Sequence, residues 1–287
     1  MKNFFDIKDL SRDDLIEIIT KPIDEISLKN KSIGLLFENY STRTRLSFTV
    51  GINQLNGNII DIKFNELNYS RDESFEDTFT AFNCYLDGLI YRTNEHQKLH
   101  LASNFFEKPI INAMSDKSHP CQVISDLYTL YERFKTLNLN ILWVGDITNV
   151  CLSFIEAANL ITEINFNILS PNDIINNKKK LMSFDNIQTY TNLNDLDLSI
   201  YNCLMTDVFI SMNDKDDKNK FQLLQPYQVN MNILNKLSNK SVFMHCLPAK
   251  IGSEVTEEVI KSHKSIVWHQ AKNRMIAQKK LLSLIDW

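Results

Sequence analysis

KSIGLLFENYSTRTRLSFTVGINQLNGNIIDIKF, residues 31–64, reads as strand, turn, helix and strand in immediate succession. KSIGLLFE (31–38) is a short, continuous apolar run, the pattern of a strand buried on both faces. RTRLSFTVGINQL (43–55) has helical spacing, and NIIDIKF (58–64) returns to a strand. Strand, helix, strand implies a parallel sheet with helices on both faces. Working outward, ESFEDTFTAFNCYL (73–86) is helical in spacing, while DGLIYR (87–92) and KPIINAM (108–114) read as strands. A long amphipathic helix, QVISDLYTLYERFKTLN (122–138), interrupts the alternation. The pattern then restarts with NILWVGD (140–146, strand), NVCLSFIEAANLI (149–161, helix) and INFNILS (164–170, strand). LSIYNCLMTDV (198–208) and KSVFMHCL (240–247) supply later strands, and AKNRMIAQKKLLSLI (271–285) a terminal helix. The fold class is therefore α/β in two domains, each a parallel sheet flanked by helices, joined by interdomain helices near residues 125–138. NDKDDKNK (213–220) reads as a charged loop, and no internal repeat is visible.

The chain has 287 residues, 44% hydrophobic and 23% charged, ordinary values for a globular protein. Its apolar runs fall short of the ~20 residues that cross a bilayer, and MKNFFDIKDLSRDD turns acidic before a signal-like core develops. A cytoplasmic protein with no membrane partner is the expectation. A net charge of −4 gives no global basic field to recruit nucleic acid, so any anionic ligand needs a local cluster. The five cysteines (Cys84, Cys121, Cys151, Cys203, Cys246) are odd in number and free of CxxC pairs, which favours reduced thiols over a disulfide framework or zinc site.

Five short motifs carry chemistry. STRTR (41–45) follows the first strand and opens a helix, and a helix N-terminus offers unpaired N–H groups and positive partial charge to a phosphate. Its hydroxyls add donors, and Arg43 and Arg45 add guanidinium forks suited to phosphate or carboxylate; read alone, the same residues make a capped helix with solvated arginines. HPCQ (119–122) begins the long middle helix, with His119 and Gln122 spaced to reach one carbonyl oxygen. YRT (91–93) puts Arg92 at the carboxyl end of a strand, where open α/β sheets bind ligands. HCLP (245–248) ends another strand, and TDVFISM (206–212) follows one more. VGD lacks the GxGxxG fingerprint, which argues against a dinucleotide-dependent oxidoreductase.

In this order, STRTR, HPCQ, VGD with a downstream Asn, TDVxxSM, HCLP and a late NR resemble the signature of the aspartate/ornithine carbamoyltransferase family. The resemblance covers nearly the whole chain, and HCLP followed by AxxGxEVT is similar to the ornithine branch. It implies a carbamoyl-phosphate-binding domain over 1–130, an ornithine-binding domain over 131–270, and a C-terminal helix over 271–287 packing back on the first domain. It implies a homotrimer or a multiple of trimers, no cofactor and no metal. Ser41, Thr42, Arg43 and Thr44 match the family's phosphate loop. Arg92, His119, Gln122 and Arg274 match residues around the carbamoyl group. Asn149, Asp207, Ser211 and Met212 match residues that hold the acceptor's α-carboxylate and α-ammonium, and Cys246 and Leu247 match the segment lining the reacting amine, also counted with the carbamoyl phosphate site. Arg92, His119, Gln122, Cys246 and Arg274 are the expected catalytic set.

That inventory suits transfer of a carbamoyl group from carbamoyl phosphate to the side-chain amine of L-ornithine, giving L-citrulline and phosphate in arginine biosynthesis. Donors already in place for a developing oxyanion typically supply the largest catalytic term, and Thr44, Arg92 and His119 are candidates. Asp207, Cys246 and the departing phosphate all remain open as proton acceptor. The sequence also departs from the family pattern. Ile147 and Thr148 stand for Gly and Asn, Asn213 for Gly, Ile251 for Arg, and Thr49 for Glu; His269, Gln270 and Lys272 replace acidic residues. An Ile cannot comfortably take positive φ, so the turn at 147 must differ if the glycine used it. These departures keep two alternatives in view: another amine acceptor, or a non-catalytic ligand-binding paralogue.

Overall fold

The computed structural model describes residues 1–22, 27–68, 72–211 and 218–287. Met212 and Asn213, and with them most of the charged stretch read as a loop, lie outside the described residues. The chain divides into two compact units, Met1–Tyr128 with Asn273–Trp287, and Thr129–Lys272. Both boundaries fall inside helices. Among the described residues no helix is long and apolar enough to cross a membrane.

The first unit contains α1 (Arg12–Thr20), β1 (Ser32–Phe37), α2 (Arg43–Gln54), β2 (Asn58–Lys63), α3 (Phe75–Phe82), β3 (Gly88–Arg92), α4 (Gln97–Phe105), β4 (Ile110–Met114) and the start of α5 (Pro120–Phe134). Its sheet is wholly parallel in the order β2-β1-β3-β4. β1 and β3 lie in the middle and are buried almost throughout, which is why both read as continuous apolar runs. β2 is the edge strand and is half-exposed, matching its polar alternation. Phe79, Leu89, Tyr91, Leu99 and Phe106 form the core between this sheet and α3 and α4. The two chain ends belong to the same unit: the Met1 ammonium pairs with Asp286 at 2.7 Å. Gly88 is required by Trp287, whose Cζ3 would sit 2.4 Å from any Cβ placed there.

The second unit holds the rest of α5, then β5 (Leu139–Val144), α6 (Asn149–Leu160), β6 (Ile164–Leu169), α7 (Asn172–Lys178), β7 (Ile187–Tyr190), β8 (Cys203–Thr206), α8 (Lys218–Leu224), α9 (Met231–Leu234), β9 (Val242–His245), α10 (Glu257–Ile260) and the first turns of α11 (Val267–Leu282). Its parallel sheet runs β7-β6-β5-β8-β9. Leu142, Val144, Leu204, Phe243, Val255 and Val267 anchor one face of its core.

The elements differ from the sequence expectation mainly at their ends. The run 198–208 narrows to β8, with a 3-10 turn at Leu198–Ile200 before it. α5 starts at Pro120, whose fixed φ suits a first helical position. α11 begins at Val267, before the Ala271 start that spacing suggests. The sequence reading did not identify α1, α4, α7, α8, α9, α10 or β7, and α8 begins at Lys218, inside the stretch read as a charged loop. β7 is four residues long and exposes Gln188 and Thr189, so it carries little apolar signal.

Candidate active site

In each sheet the strand order reverses once, between β1 and β3 and between β5 and β8. Open α/β sheets hold ligands in the crevice beyond the strand carboxyl ends at such a switch point. Ser41–Thr44 follow β1 and Arg92 ends β3, so the first reversal is flanked by them. Gly145–Asn149 follow β5 and Asp207 follows β8, flanking the second.

In the first unit, Thr42 is the N-cap of α2 and Thr44 lies in its first turn, 1% exposed. Arg274 Nη2 donates to Thr44 Oγ1 at 2.8 Å. The Thr44 oxygen is thereby engaged as an acceptor, which leaves its own O–H as a donor. Arg92 and Arg274 are buried, and so is His119. Burial, and then the positive charges of Arg274, Arg92 and Arg43, hold the His119 pKa well below the ordinary histidine value. His119 is thus neutral at pH 7 and surrounded by three guanidinium groups, an arrangement suited to an anionic ligand rather than to a cationic imidazole. Gln122 Nε2 donates to Asp126 Oδ1 at 2.8 Å within α5, so its carbonyl oxygen, not its amide nitrogen, is the end that remains. The sequence expectation that Gln122 and His119 meet one carbonyl oxygen is corrected accordingly: Gln122 offers an acceptor, which fits an –NH2 group. Arg45 takes the carboxylate that the motif left open as a partner. It pairs with Asp61 on β2 and lies over the Phe37 ring at 4.6 Å, so it holds α2 to the sheet.

The loop that delivers His119 is held from beneath. His96 Nδ1 meets Ser115 Oγ at 2.8 Å, and His96 Nε2 meets Asp6 Oδ2 at 3.3 Å. The Ser118 amide donates to Ser115 Oγ at 3.1 Å, and Asn112 Nδ2 donates to the Phe5 carbonyl at 2.8 Å. Burial raises the Asp6 pKa, but the His96 contact, with Ser118 and Lys8, outweighs it and brings the carboxyl down to about 2. Glu38, at the end of β1, accepts from Tyr91 Oη at 2.7 Å and from the Asn94 amide at 3.0 Å, fixing the segment around Arg92. Neither Asp6, Glu38 nor His96 was singled out from sequence; all three act through contacts distant in the chain.

In the second unit, Asp207 is 6% exposed and accepts from three donors. Thr148 Oγ1 reaches Oδ2 at 2.9 Å, and the Val208 amide and Cys246 Sγ reach Oδ1 at 2.8 and 3.1 Å. Thr148 is the N-cap of α6, so Asn149 opens that helix beside the fixed carboxylate. The positive φ of this turn, +111°, belongs to Gly145, where a Cβ would also press on the Phe209 ring at 3.0 Å. Ile147 is buried without a left-handed backbone. Leu247 does take the left-handed region, φ 57°, where a bulky residue is rare, and it precedes a cis peptide to Pro248. Its amide donates to His245 Nδ1 at 2.9 Å, and His245 Nε2 faces Glu254 at 3.2 Å. The drifted Gln270 is buried and its Oε1 accepts from the His245 backbone amide at 3.0 Å, so here an amide does a structural task. His269 meets Glu132 at 3.1 Å, while Lys272 and Ile251 are exposed. Ser211 is half-buried.

Among the described residues, Asp207, His245 and Cys246 form one group whose ligand atoms lie within 4.8 Å of one another. They do not fit a metal ion. The Nδ1 lone pair of His245 accepts the Leu247 amide and Nε2 carries a proton toward Glu254, while both Asp207 oxygens accept from donors.

Two family models match the chain: "Aspartate/ornithine carbamoyltransferase, carbamoyl-P binding domain" over residues 2–132 and "Aspartate/ornithine carbamoyltransferase, Asp/Orn binding domain" over residues 137–285. A protein of Aquifex aeolicus named ornithine carbamoyltransferase is 36% identical, with 99% of this chain and 97% of that one covered. A namesake from Trichormus variabilis is 39% identical over 89% of this chain and 86% of its own. The solved ornithine carbamoyltransferase of Pyrococcus furiosus superposes with a TM-score of 0.88 at 28% identity, covering 99% of this chain and 96% of that one. That of Thermus thermophilus gives 0.86 at 28% identity, covering 100% and 99%. With both halves matched and relatives above 30% identity over nearly full length, the chain belongs to the aspartate/ornithine carbamoyltransferase family.

Proposed function

We propose that the chain transfers the carbamoyl group of carbamoyl phosphate to the side-chain amine of L-ornithine, forming L-citrulline and phosphate in arginine biosynthesis. The observation that carries this reading is the neutral, buried His119 set among Arg43, Arg92 and Arg274. Carbamoyl phosphate is a dianionic mixed anhydride with a carbonyl and an –NH2 group. In this reading the first unit binds it: Ser41, Thr42, Arg43 and Thr44 hold the phosphate with Arg274, whose guanidinium is already fixed on Thr44. His119, Arg92 and the Thr44 hydroxyl stabilise the oxyanion that forms on attack, as preorganised donors do. Gln122 Oε1 accepts from the carbamoyl –NH2, the role its amide orientation leaves it.

The second unit binds the acceptor. Asp207 holds the α-ammonium, Asn149, Ser211 and Met212 complete the amino-acid contacts, and Cys246 and Leu247 line the reacting amine. The proton that the amine loses on attack passes to the departing phosphate or to Asp207, whose Oδ1 already accepts the Cys246 thiol at 3.1 Å. A cytoplasmic homotrimer belongs to the same reading. Leu46 and Val50 on α2 and Ile60 on β2, 56%, 42% and 45% exposed, offer apolar surface for a subunit contact.

The test is citrulline production from carbamoyl phosphate and L-ornithine by the purified chain and by Arg43→Ala. Turnover with ornithine, lost in the variant, is the expected result. Turnover with a different amine alone would replace the acceptor. Tight binding of a bisubstrate analogue without turnover for any amine would make the chain a non-catalytic paralogue.

A further inference from the structure

The second unit also contains a cavity of about 490 Å3 beside Val242, the first residue of β9. Asp207 and Cys246 follow the opposite, carboxyl ends of β8 and β9, so the cavity is separate from the acceptor site. Its charged lining is Glu132, Arg133, Lys135, His263, Lys264 and His269. Arg133 and Lys135 sit at the carboxyl end of α5, where cations offset the helix's carbonyl partial charge. That placement does not account for Lys264, which belongs to another segment and is only 6% exposed. Its ammonium donates to the Ser238 carbonyl and still carries further N–H donors. Keeping an ammonium out of water is costly unless it has polar partners. The single carboxylate of the lining, Glu132, already meets His269 at 3.1 Å. Arg133, Lys135 and Lys264 therefore leave the cavity with an excess of positive charge in a protein whose net charge is −4. The volume is within the range of small-molecule sites, roughly 300–1,000 Å3.

We propose that this cavity binds a phosphorylated small molecule, with the Arg133 fork and the Lys135 and Lys264 ammonium groups on its phosphate and His263 at the rim. A dianionic phosphate matches a guanidinium fork and two point charges better than a single carboxylate does.

Isothermal titration of the full chain with inorganic pyrophosphate tests this. Arg43→Ala serves as the background, because it weakens phosphate binding at the first-unit site. Arg133→Gln and Lys135→Asn are then added. Both side chains are exposed, and Asn tolerates the left-handed backbone of Lys135, φ 57°. The expected result is pyrophosphate binding by Arg43→Ala that weakens roughly tenfold or more when both cations are removed. An Arg43→Ala chain that does not bind, or binding indifferent to the two added substitutions, overturns the proposal.

Discussion

Thr148→Val removes one hydroxyl and changes almost nothing else. Val has the shape of Thr, and Thr148 is 6% exposed, so no cavity opens. What is lost is the 2.9 Å donation from Thr148 Oγ1 to Asp207 Oδ2. A hydrogen bond to a buried charged group is worth about 1.5–3 kcal/mol. Asp207 keeps two of its three donors, the Val208 amide and the Cys246 thiol, both on Oδ1. The carboxylate is then free to turn about its Cβ–Cγ bond, and Oδ2 is the oxygen that loses its anchor. Taking the lower half of the range, the ligand-free chain loses about 2 kcal/mol in urea unfolding. If Asp207 holds the acceptor's α-ammonium and takes no proton from the reacting amine, the contact is the same in ground and transition states. Its loosening then raises the KM for ornithine about tenfold, which is ~1.4 kcal/mol, and leaves kcat within about threefold. The assay is steady-state citrulline formation at saturating carbamoyl phosphate, beside urea unfolding of the same preparation. An unchanged KM with reduced stability would falsify the acceptor role of Asp207 and reduce Thr148 to a structural cap. An equal fall in kcat and kcat/KM would instead place Asp207 at the reacting centre.

Asp6→Asn tests the support beneath the His119 loop. A carboxyl lowered from 3.8 to about 2 is stabilising above its unfolded pKa, and that contribution is lost as pH falls from about 4 toward 2. At pH 7 the variant is expected to be less stable by about 2.5 kcal/mol in urea unfolding, and an unchanged midpoint would remove Asp6 from the account. His119, depressed well below 6.5, is deprotonated throughout pH 6–8, so kcat/KM shows no histidine limb there. A limb near 6.5 that vanishes in His119→Asn would show that the imidazole is cationic in the working range. The sign for stability is the same as that of Asp6, in a higher pH window: the unfolded chain binds the extra proton below pH ~6.5, so acidification from there costs stability, and His119→Asn removes that slope. His119→Asn also lowers kcat by about 10²–10³ as one oxyanion donor is lost, measured in the citrulline assay. Gly88→Ala drives a methyl against Trp287 at 2.4 Å and costs about 1–3 kcal/mol, read as a fall in thermal midpoint.

The parts of this fold legible in sequence are those whose physics is local. β1 and β3 are buried on both faces and announce themselves as apolar runs, and α5 declares its stripe over 15 residues. β7 and α7 lie at the sheet edge with little apolar contrast, and they escaped. The site divides in the same way. Arg92 and Thr44 follow from position at a strand end and a helix start, whereas the Arg274–Thr44 bond spans 230 positions and has no local signature. STRTR offers two arginines as equals, and only the packing of α2 on β2 assigns Arg45 to Asp61. Which end of Gln122 stays available was not legible, because its orientation is set by Asp126 one turn along α5. The concern about Ile147 dissolves for a backbone reason: the left-handed residue of that turn is Gly145.

Three guanidinium groups about a neutral imidazole have a cost when no ligand is bound. Like charges gathered in a low-dielectric crevice repel one another. The empty protein is therefore held in a state less stable than its own architecture would allow, and an anion relieves the repulsion as it binds. Ligand occupancy and resistance to heat or proteases are then the same quantity seen from two sides. If carbamoyl phosphate is that anion, a shortage of it leaves the chain most exposed to unfolding and removal.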